Sequence, residues 1–119
     1  MEQKEAAPLK EEITFEDFSK MDIRTGTILE AEKMPKAKKL LVLKVDTGVD
    51  IRTVVSGIAE SFKPEEIIGQ QVSVLVNLAP RTLRGVESSG MILMTETKEG
   101  KLAFVQPSSG GVDNGAQIS

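Results

Sequence analysis

The chain has 119 residues, of which 39% are hydrophobic and 28% charged, and its net charge at pH 7 is −3. This composition predicts one soluble globular domain with a core of modest size. The sequence contains no histidine and no cysteine, which excludes zinc sites built from them, Cys or Ser-His nucleophiles, iron–sulfur clusters and disulfide bonds. No apolar run reaches the about 20 residues of a membrane span. We therefore expect a cytoplasmic protein with no membrane partner, metal or other cofactor.

The N-terminal residues predict an extended lead-in followed by a short helix. Residues 1–12 are polar and charged without apolar periodicity, which is typical of a flexible linker or tail. Thr14 is a predicted N-cap, and Asp17 three residues later completes a variant of the capping box. Phe15 and Phe18 then lie on one helix face. Because so short a helix is unstable alone, we expect this face to pack on the domain or on a second subunit.

Residues 13–119 predict one β-rich domain. The strands predicted from alternation and turn residues are 24–32, 40–47, 51–56, 71–78, 91–95 and 102–105, with a helix over 62–69 and a long polar loop over 79–90. A helix between the third and fourth strands of a small antiparallel barrel is typical of the OB-fold. We therefore predict an all-β OB-fold, a five-stranded, partly closed Greek-key barrel.

Catalytic groups are hard to find in this sequence. Without histidine or cysteine, a general base would have to be a carboxylate or a lysine with a shifted pKa. The acidic residues are scattered, and neither a P-loop nor a G-x-G-x-x-G motif is present. The residues favour a binding module over an enzyme.

Two basic clusters are the main binding signal. Residues 33–52 carry six bases and two acids, a net charge of +4. Four of these bases fall within seven residues, at Lys33, Lys36, Lys38 and Lys39. Such a run is either a solvated loop or a rim that contacts the phosphates of a nucleic acid. Arg81 and Arg84 form the second cluster, and in an OB-fold the loops that carry the two clusters flank one face.

Polar residues near the second cluster are further candidates. Asn77 ends an apolar strand and either bonds to a base or phosphate or caps the loop that follows. Ser89 and Met91 flank Gly90, which permits close backbone approach, and Met91 is alternatively a core residue. The chain has four Phe and no Trp or Tyr. With so few stacking platforms, a nucleic-acid ligand would be recognised by backbone and shape, which favours folded RNA over extended single strands.

The order and spacing of short motifs resemble a known family. The matching segments are Phe15-x-x-Phe18, Asp22-Ile23-Arg24-x-Gly26, Ala31-Glu32 with Pro35 and Lys39-Leu40, Val54-x-Ser56-Gly57-Ile58-Ala59, Pro64-Glu65, Asn77-Leu78 with Pro80-Arg81, Arg84-Gly85, and Ser89-Gly90-Met91-Ile92-Leu93. They resemble the tRNA-binding domain at the C-terminus of many bacterial methionyl-tRNA synthetases. The same domain occurs in free-standing tRNA-binding proteins and in relatives of endothelial monocyte-activating polypeptide II.

The resemblance implies a non-catalytic OB-fold module, usually a homodimer, that binds tRNA by shape and raises the tRNA affinity of a synthetase catalytic core in the same chain. It implies a tRNA face formed by the lysines near Lys39, by Asn77, by Arg81 and Arg84, and by the Ser89–Met91 segment. The N-terminal helix, with Phe15 and Phe18, and the C-terminal segment would form the dimer. The alternative is a dimeric polypeptide-binding protein of the export-chaperone type, which shares this fold.

Overall fold

The structure is a computed structural model that describes residues 6–119. The predicted lead-in over 1–12 lies partly outside the described residues, and residues 6–12 contain neither helix nor strand. Two short helices and ten strands follow: α1 (Phe15–Ser19), β1 (Ile23–Lys33), β2 (Leu41–Asp46), β3 (Ile51–Ser56), α2 (Pro64–Ile67), β4 (Gln71–Leu75), β5 (Arg81–Leu83), β6 (Val86–Ser88), β7 (Met91–Ile92), β8 (Met94–Glu96), β9 (Leu102–Phe104) and β10 (Gln117–Ile118).

Strand β1 is the centre of the curled sheet. Its residues 23–27 pair with β4, and its residues 27–33 pair with β2, both antiparallel. Between the partners of Ile28 and Glu30 the register shifts, so that Leu29 is an extra residue in a bulge. A bulge bends its strand and increases the twist, which allows one long strand to serve both halves of a barrel.

The main sheet has the order β3-β2-β1-β4-β7, with β10 added to β1. Its two ends approach each other, because β3 lies beside both β6 and β7. The fully buried core consists of aliphatic side chains from the inner faces of these strands, from α2 and from the β3–α2 connection: Ile28, Leu41, Leu43, Val45, Val54, Ile58, Ile67, Val72 and Val74. The predicted all-β class and the half-barrel with its two short helices are confirmed.

Both helices lie where the sequence predicts them. At α1 the Thr14 hydroxyl accepts a bond from the Asp17 backbone N–H at 3.1 Å, and the Asp17 carboxylate accepts from the Thr14 N–H at 3.2 Å. The predicted capping box is therefore present. Helix α2 is one turn long, with Pro64 at its start, and is shorter than the predicted 62–69. Neither helix, among the described residues, is long and apolar enough to cross a membrane.

The largest differences from the predicted strands fall between residues 76 and 96. The fourth strand ends at Leu75, not at residue 78, and the predicted polar loop over 79–90 contains the hairpin β5–β6. The predicted fifth strand is two strands, β7 in the main sheet and β8 paired with β9. Leu93 lies between them, and its N–H donates to the Ser73 carbonyl at 2.9 Å. Short strands with polar outer faces carry too little alternation to be distinguished from a loop by sequence pattern.

The polar C-terminal segment is attached to the barrel. The Gly115 N–H donates to the Thr25 carbonyl at 2.7 Å, and the Thr25 N–H donates to the Ala116 carbonyl at 2.9 Å. The Thr27 hydroxyl donates to the Asn114 side chain at 2.7 Å, and β10 pairs Ile118 with Ile23. These contacts are backbone and polar bonds, which explains why hydrophobic pattern gave so weak a signal for them.

Candidate nucleic-acid interface

Residues 33–39, which we call the lysine loop, form a pair of turns anchored by one buried side chain. Met34 is only 5% exposed, and its N–H donates to the Leu40 carbonyl at 3.2 Å. Within this frame all four lysine side chains are exposed, at Lys33, Lys36, Lys38 and Lys39. None of them forms an ion pair with another of the residues 6–119. Their charges are therefore available to an external anion.

The second basic cluster lies on the β5–β6 hairpin. Arg81 is exposed and pairs with Ser88, at the hairpin's base. Arg84 and Gly85 form the two-residue turn, with φ values of 51° and 83°. Positive φ at both central residues is the pattern of a type I′ hairpin turn, whose twist matches that of the strands. The turn places the Arg84 guanidinium at the exposed tip.

The base of this hairpin is tied to β3. The buried Ser88 hydroxyl accepts a bond from the Val55 N–H at 2.9 Å, and the Ser89 N–H donates to the Thr53 carbonyl at 2.9 Å. A Cβ at Gly90 would lie 3.0 Å from the Leu75 carbonyl oxygen. Glycine at this position thus permits the close approach of the hairpin to β4.

Arg52 is the functional-region residue that sequence reasoning missed. It counts as a base in the charge arithmetic, yet its guanidinium is committed to the protein. Its Nη1 donates to the carbonyls of Val76 at 2.7 Å and Ser89 at 3.3 Å, and its Nε and Nη2 bind the Asp50 carboxylate at 3.0 and 2.7 Å. The Asp50 carboxylate raises the pKa of Arg52, so the group stays charged. Arg52 therefore holds both ends of the 77–88 connection.

Asn77 is the residue for which the sequence leaves two roles open, contact with a base or phosphate and a cap of the following loop. Its Oδ1 accepts a bond from the Asp22 N–H at 2.9 Å, and its Nδ2 donates to the Lys20 carbonyl at 2.6 Å. The side chain is exposed and joins the end of β4 to the segment between α1 and β1. The predicted cap of the following loop is therefore wrong, because the side chain bonds to a remote segment instead. A role in RNA contact stays a prediction.

The β5–β6 hairpin and the residue that follows the four lysines border one groove, although neither the lysines nor Arg84 are among its lining residues. Arg81, Leu83 and Met91 line a groove of about 740 Å³ together with Leu40, the neighbour of Lys39. Met91 is 47% exposed and pairs with Leu75 in β7, so it is not a core residue. Ser89 is half-buried, its carbonyl accepts a bond from Arg52, and it is not among the lining residues of the groove.

Phe15 and Phe18 lie on a different surface. They line a second cavity with Met21, Ile23 and Ile118, and Phe15 is 81% exposed. The structure therefore separates the predicted dimer residues from Arg81 and Met91 at the groove. Asn77, in contrast, bonds to Asp22, which lines the α1 cavity. No cluster of acidic side chains within residues 6–119 could hold a metal ion.

Comparison with known proteins agrees with this geometry. The sequence pattern of the family described as "Putative tRNA binding domain" matches residues 23–117, from the first strand to the last. The chain belongs to this family. The match includes the four lysines of residues 33–39, the β5–β6 hairpin and the lining of the groove, so all of them lie within a tRNA-binding domain.

Relatives of this tRNA-binding domain are parts of longer proteins. The chain is 71% identical over 118 residues to a methionine–tRNA ligase of Flavobacterium psychrophilum, a match that includes 99% of this chain and 17% of the ligase. It is 68% identical over 119 residues to the methionine–tRNA ligase of Christiangramia forsetii, with 100% and 17% covered. The chain thus spans about a sixth of the length of the curated relatives that it matches.

Solved structures share the fold of the domain. A MetRS-related protein from Pyrococcus horikoshii has a TM-score of 0.84 at 37% identity, with 92% of this chain and 100% of that chain covered. The chaperone CsaA from Bacillus anthracis has a TM-score of 0.81 at 31% identity, with the same coverage. The resemblance to the tRNA-binding family is confirmed, and the fold is shared with a protein named as a chaperone.

Proposed function

We propose that residues 13–119 are the non-catalytic tRNA-binding domain of a methionine–tRNA ligase, joined by residues 1–12 to the catalytic part of that enzyme. The observation that carries this proposal is the 71% identity to such a ligase over almost the entire chain. A tethered RNA-binding domain raises the effective concentration of tRNA near the catalytic site. Aminoacylation by the rest of the ligase takes place in the cytoplasm, so the domain would act there.

The RNA contacts of this proposal fall into two kinds. Exposed cations would bind phosphates and release counterions, and these are Lys33, Lys36, Lys38, Lys39, Arg81 and Arg84. Asn77 and Ser89 would donate or accept hydrogen bonds, and Met91 would support the contact at the groove edge. The amide of Asn77 retains capacity for this, because its nitrogen carries a second hydrogen and its oxygen a second lone pair.

The direct test is a titration of labelled, unfractionated tRNA by fluorescence anisotropy at low and physiological salt, with a poly-U strand as the control. We expect tRNA to bind, poly-U to bind weakly, and the tRNA affinity to fall with salt at a slope that corresponds to about three to six phosphate contacts. An absence of tRNA binding at low salt would contradict the proposed function.

We also propose that two copies of the domain associate through α1 and the C-terminal segment. Phe15, Met21 and Ile118 are 81%, 41% and 38% exposed in the single chain, and they border one cavity. Apolar side chains concentrated in this way are characteristic of protein–protein interfaces. The family resemblance implies the same surface.

The second candidate function is polypeptide binding, and the likeness to the chaperone CsaA favours it. The two functions differ in their physics. Phosphate binding weakens steeply as salt rises, whereas apolar association does not. Binding of an unfolded polypeptide that persists at high salt, without tRNA binding at low salt, would favour this candidate.

A further inference from the structure

The groove that contains Arg81 has a mostly apolar lining, which phosphate binding does not require. Its volume of about 740 Å³ is within the range of about 300 to 1,000 Å³ for small-molecule sites. Its walls come from the residue before β2, from the end of β3 and the residues after it, from the β5–β6 hairpin, from the 91–94 segment and from β9 with Val105. Most of the lining is aliphatic or thioether: Leu40, Val55, Ile58, Leu83, Met91, Ile92, Leu93, Met94, Leu102 and Val105.

Charge within the groove is restricted to one residue. Arg81 is the single charged side chain among the lining residues, and no acidic residue is among them. It also lines the smaller cavity beside Leu78 and Gly90, so it stands where the two spaces meet. An occupant must therefore combine an apolar body with a negative group near Arg81.

We propose that this groove binds an unpaired nucleobase of the tRNA, with the adjacent phosphate on Arg81. The inference rests on the proposed tRNA-binding function and adds base contact to recognition by backbone and shape. An unstacked base presents two apolar faces and is flanked by phosphates. Methionine sulfur packs favourably on aromatic rings, and a guanidinium stacks on a ring while it binds a phosphate. The groove thereby supplies, without any aromatic side chain, what Phe or Tyr supplies in other single-strand sites.

The charges around the groove favour a nucleotide over a polypeptide. Exposed Arg84 lies on the same hairpin as Arg81, and exposed Lys39 directly precedes Leu40 of the lining. All of these groups attract the anion next to a bound base, whereas an apolar peptide segment has no use for them. Charge complementarity thus identifies the occupant.

Methionine methyl groups provide a direct readout. Met91 and Met94 line the groove, whereas Met34 is 5% exposed in the lysine loop and Met21 lies on the α1 surface. We would label the methionine methyls with ¹³C, assign the two groove signals with Met91→Leu and Met94→Leu, and titrate unfractionated tRNA. Ring currents of a stacked base should move the Met91 and Met94 signals upfield further than those of Met21 and Met34, which lie near proposed RNA contacts but outside the groove. A blunt RNA duplex without unpaired bases should leave the groove signals in place.

A substitution separates the apolar contact from phosphate binding. Met91→Gln removes the thioether but no charge. We expect it to weaken tRNA binding by about two- to tenfold and to leave the salt slope unchanged. Arg84→Asn, in contrast, should lower the slope by about one phosphate contact.

The outcomes distinguish this inference from the proposed function. If tRNA binds with its salt dependence but the Met91 and Met94 signals do not move, the base site is wrong and the tRNA-binding function stands. Equal shifts with the blunt duplex would also overturn the base site. If an unfolded polypeptide moves these signals and tRNA does not, the groove is a peptide site. If tRNA does not bind at low salt, both proposals fail.

Discussion

Two polar side chains, those of Arg52 and Asn77, attach the segment that carries Arg81 and Arg84 to the barrel. Arg52 binds the carbonyls of Val76 and Ser89, and Asn77 binds the backbone of Lys20 and Asp22. A flexible connection would lose binding free energy because its cations would have to be ordered on the RNA. We infer that Arg52 is a positioning residue for the cations of the hairpin.

Replacement of Arg52 tests this role. Arg52→Met keeps the apolar stem and removes four hydrogen bonds. We expect the free energy of unfolding to fall by about 2–3 kcal/mol, as for hydrogen bonds that involve a charged group. Arg24→Met is the matched control, because Arg24 binds the Asp22 carboxylate alone among the described residues. Urea denaturation should show the smaller loss for Arg24→Met. Equal losses of stability, together with equal tRNA affinities of the two folded variants, would contradict the positioning role.

The same pair predicts a dependence on pH. The Arg52 guanidinium, and then the Thr47 hydroxyl, hold the pKa of Asp50 below its usual value. A carboxyl with a lowered folded-state pKa contributes stability above its unfolded pKa of about 3.9, and this stability is lost as the pH falls through the folded-state value. The Asp50 side chain is 46% exposed, so solvent screens the effect. Below about pH 4, the free energy of unfolding should change less steeply with pH in Arg52→Met than in the unmodified protein.

Arg84 permits a clean test of phosphate contact because of its backbone. Its φ of 51° lies in the left-handed region, where alanine is strained and asparagine is tolerated. Arg84→Asn therefore removes the charge and keeps the turn. We expect tRNA affinity to fall by roughly 1 kcal/mol, measured by anisotropy. Unchanged affinity in the folded variant would remove Arg84 from the site.

At the scale of elements, the C-terminal segment forms hydrogen bonds with β1 and packs closely against the β2–β3 turn. Gly48 has a φ of 88°, and a Cβ there would overlap the Asn114 carbonyl. Gly69 has a similar φ of 90° but nothing within 4 Å of a Cβ. A side chain at either position would therefore have the same backbone strain, but only at Gly48 would it also meet neighbouring atoms.

Their alanine variants should differ for that reason. Gly69→Ala should cost about 1–2 kcal/mol through backbone strain alone. We expect Gly48→Ala to cost more and to speed hydrogen exchange at the N–H groups of Thr25 and Gly115, which bond across β1 and the C-terminal segment. If Gly48→Ala leaves the exchange at these two groups unchanged, the segment is not held by this contact.

An element could be predicted when the residues that stabilise it are close together in the sequence. The capping box of α1 joins residues three apart, and β2, with its alternating burial, is visible in the apolar pattern, so both were predicted. The hairpin β5–β6 was not, because it is anchored by the Ser88 hydroxyl on Val55, 33 residues away. A side-chain bond of that span leaves no periodic trace in the sequence.

For the whole molecule, the arrangement separates two surfaces with different chemistry. The groove combines an apolar lining with Arg81, whereas the cavity beside α1 is bordered by exposed apolar side chains and, within residues 6–119, by no basic residue. Dimer formation through α1 would therefore leave the RNA-binding groove of each copy accessible. Two copies would add their phosphate contacts on one large RNA, which increases avidity.

Substitution of Phe15 tests the proposed dimer. Phe15→Asp places a charge in the apolar surface, and because burial of an aromatic side chain is worth about 1.5–3 kcal/mol, we expect the dissociation constant to rise about tenfold or more. Val49→Asp is the control, since Val49 is 63% exposed but lies at the β2–β3 turn. Light scattering should show loss of the dimer for Phe15→Asp alone. A Phe15→Asp protein that remains dimeric would exclude this surface.

The sequence by itself determined the all-β class, the place of the small helix, the two basic segments and the tRNA-binding family, because these depend on local periodicity, local charge and motif order. Only the tertiary structure decided that the polar connection contains a hairpin, that Arg52 is bound to the protein, that Asn77 caps a remote segment, and that Arg81, Leu83 and Met91 share a groove with Leu40. Those features arise where the curled sheet brings its ends together. Side chains that meet there are separated by tens of residues, and their bonds satisfy remote backbone groups, which no pattern of neighbouring residues encodes.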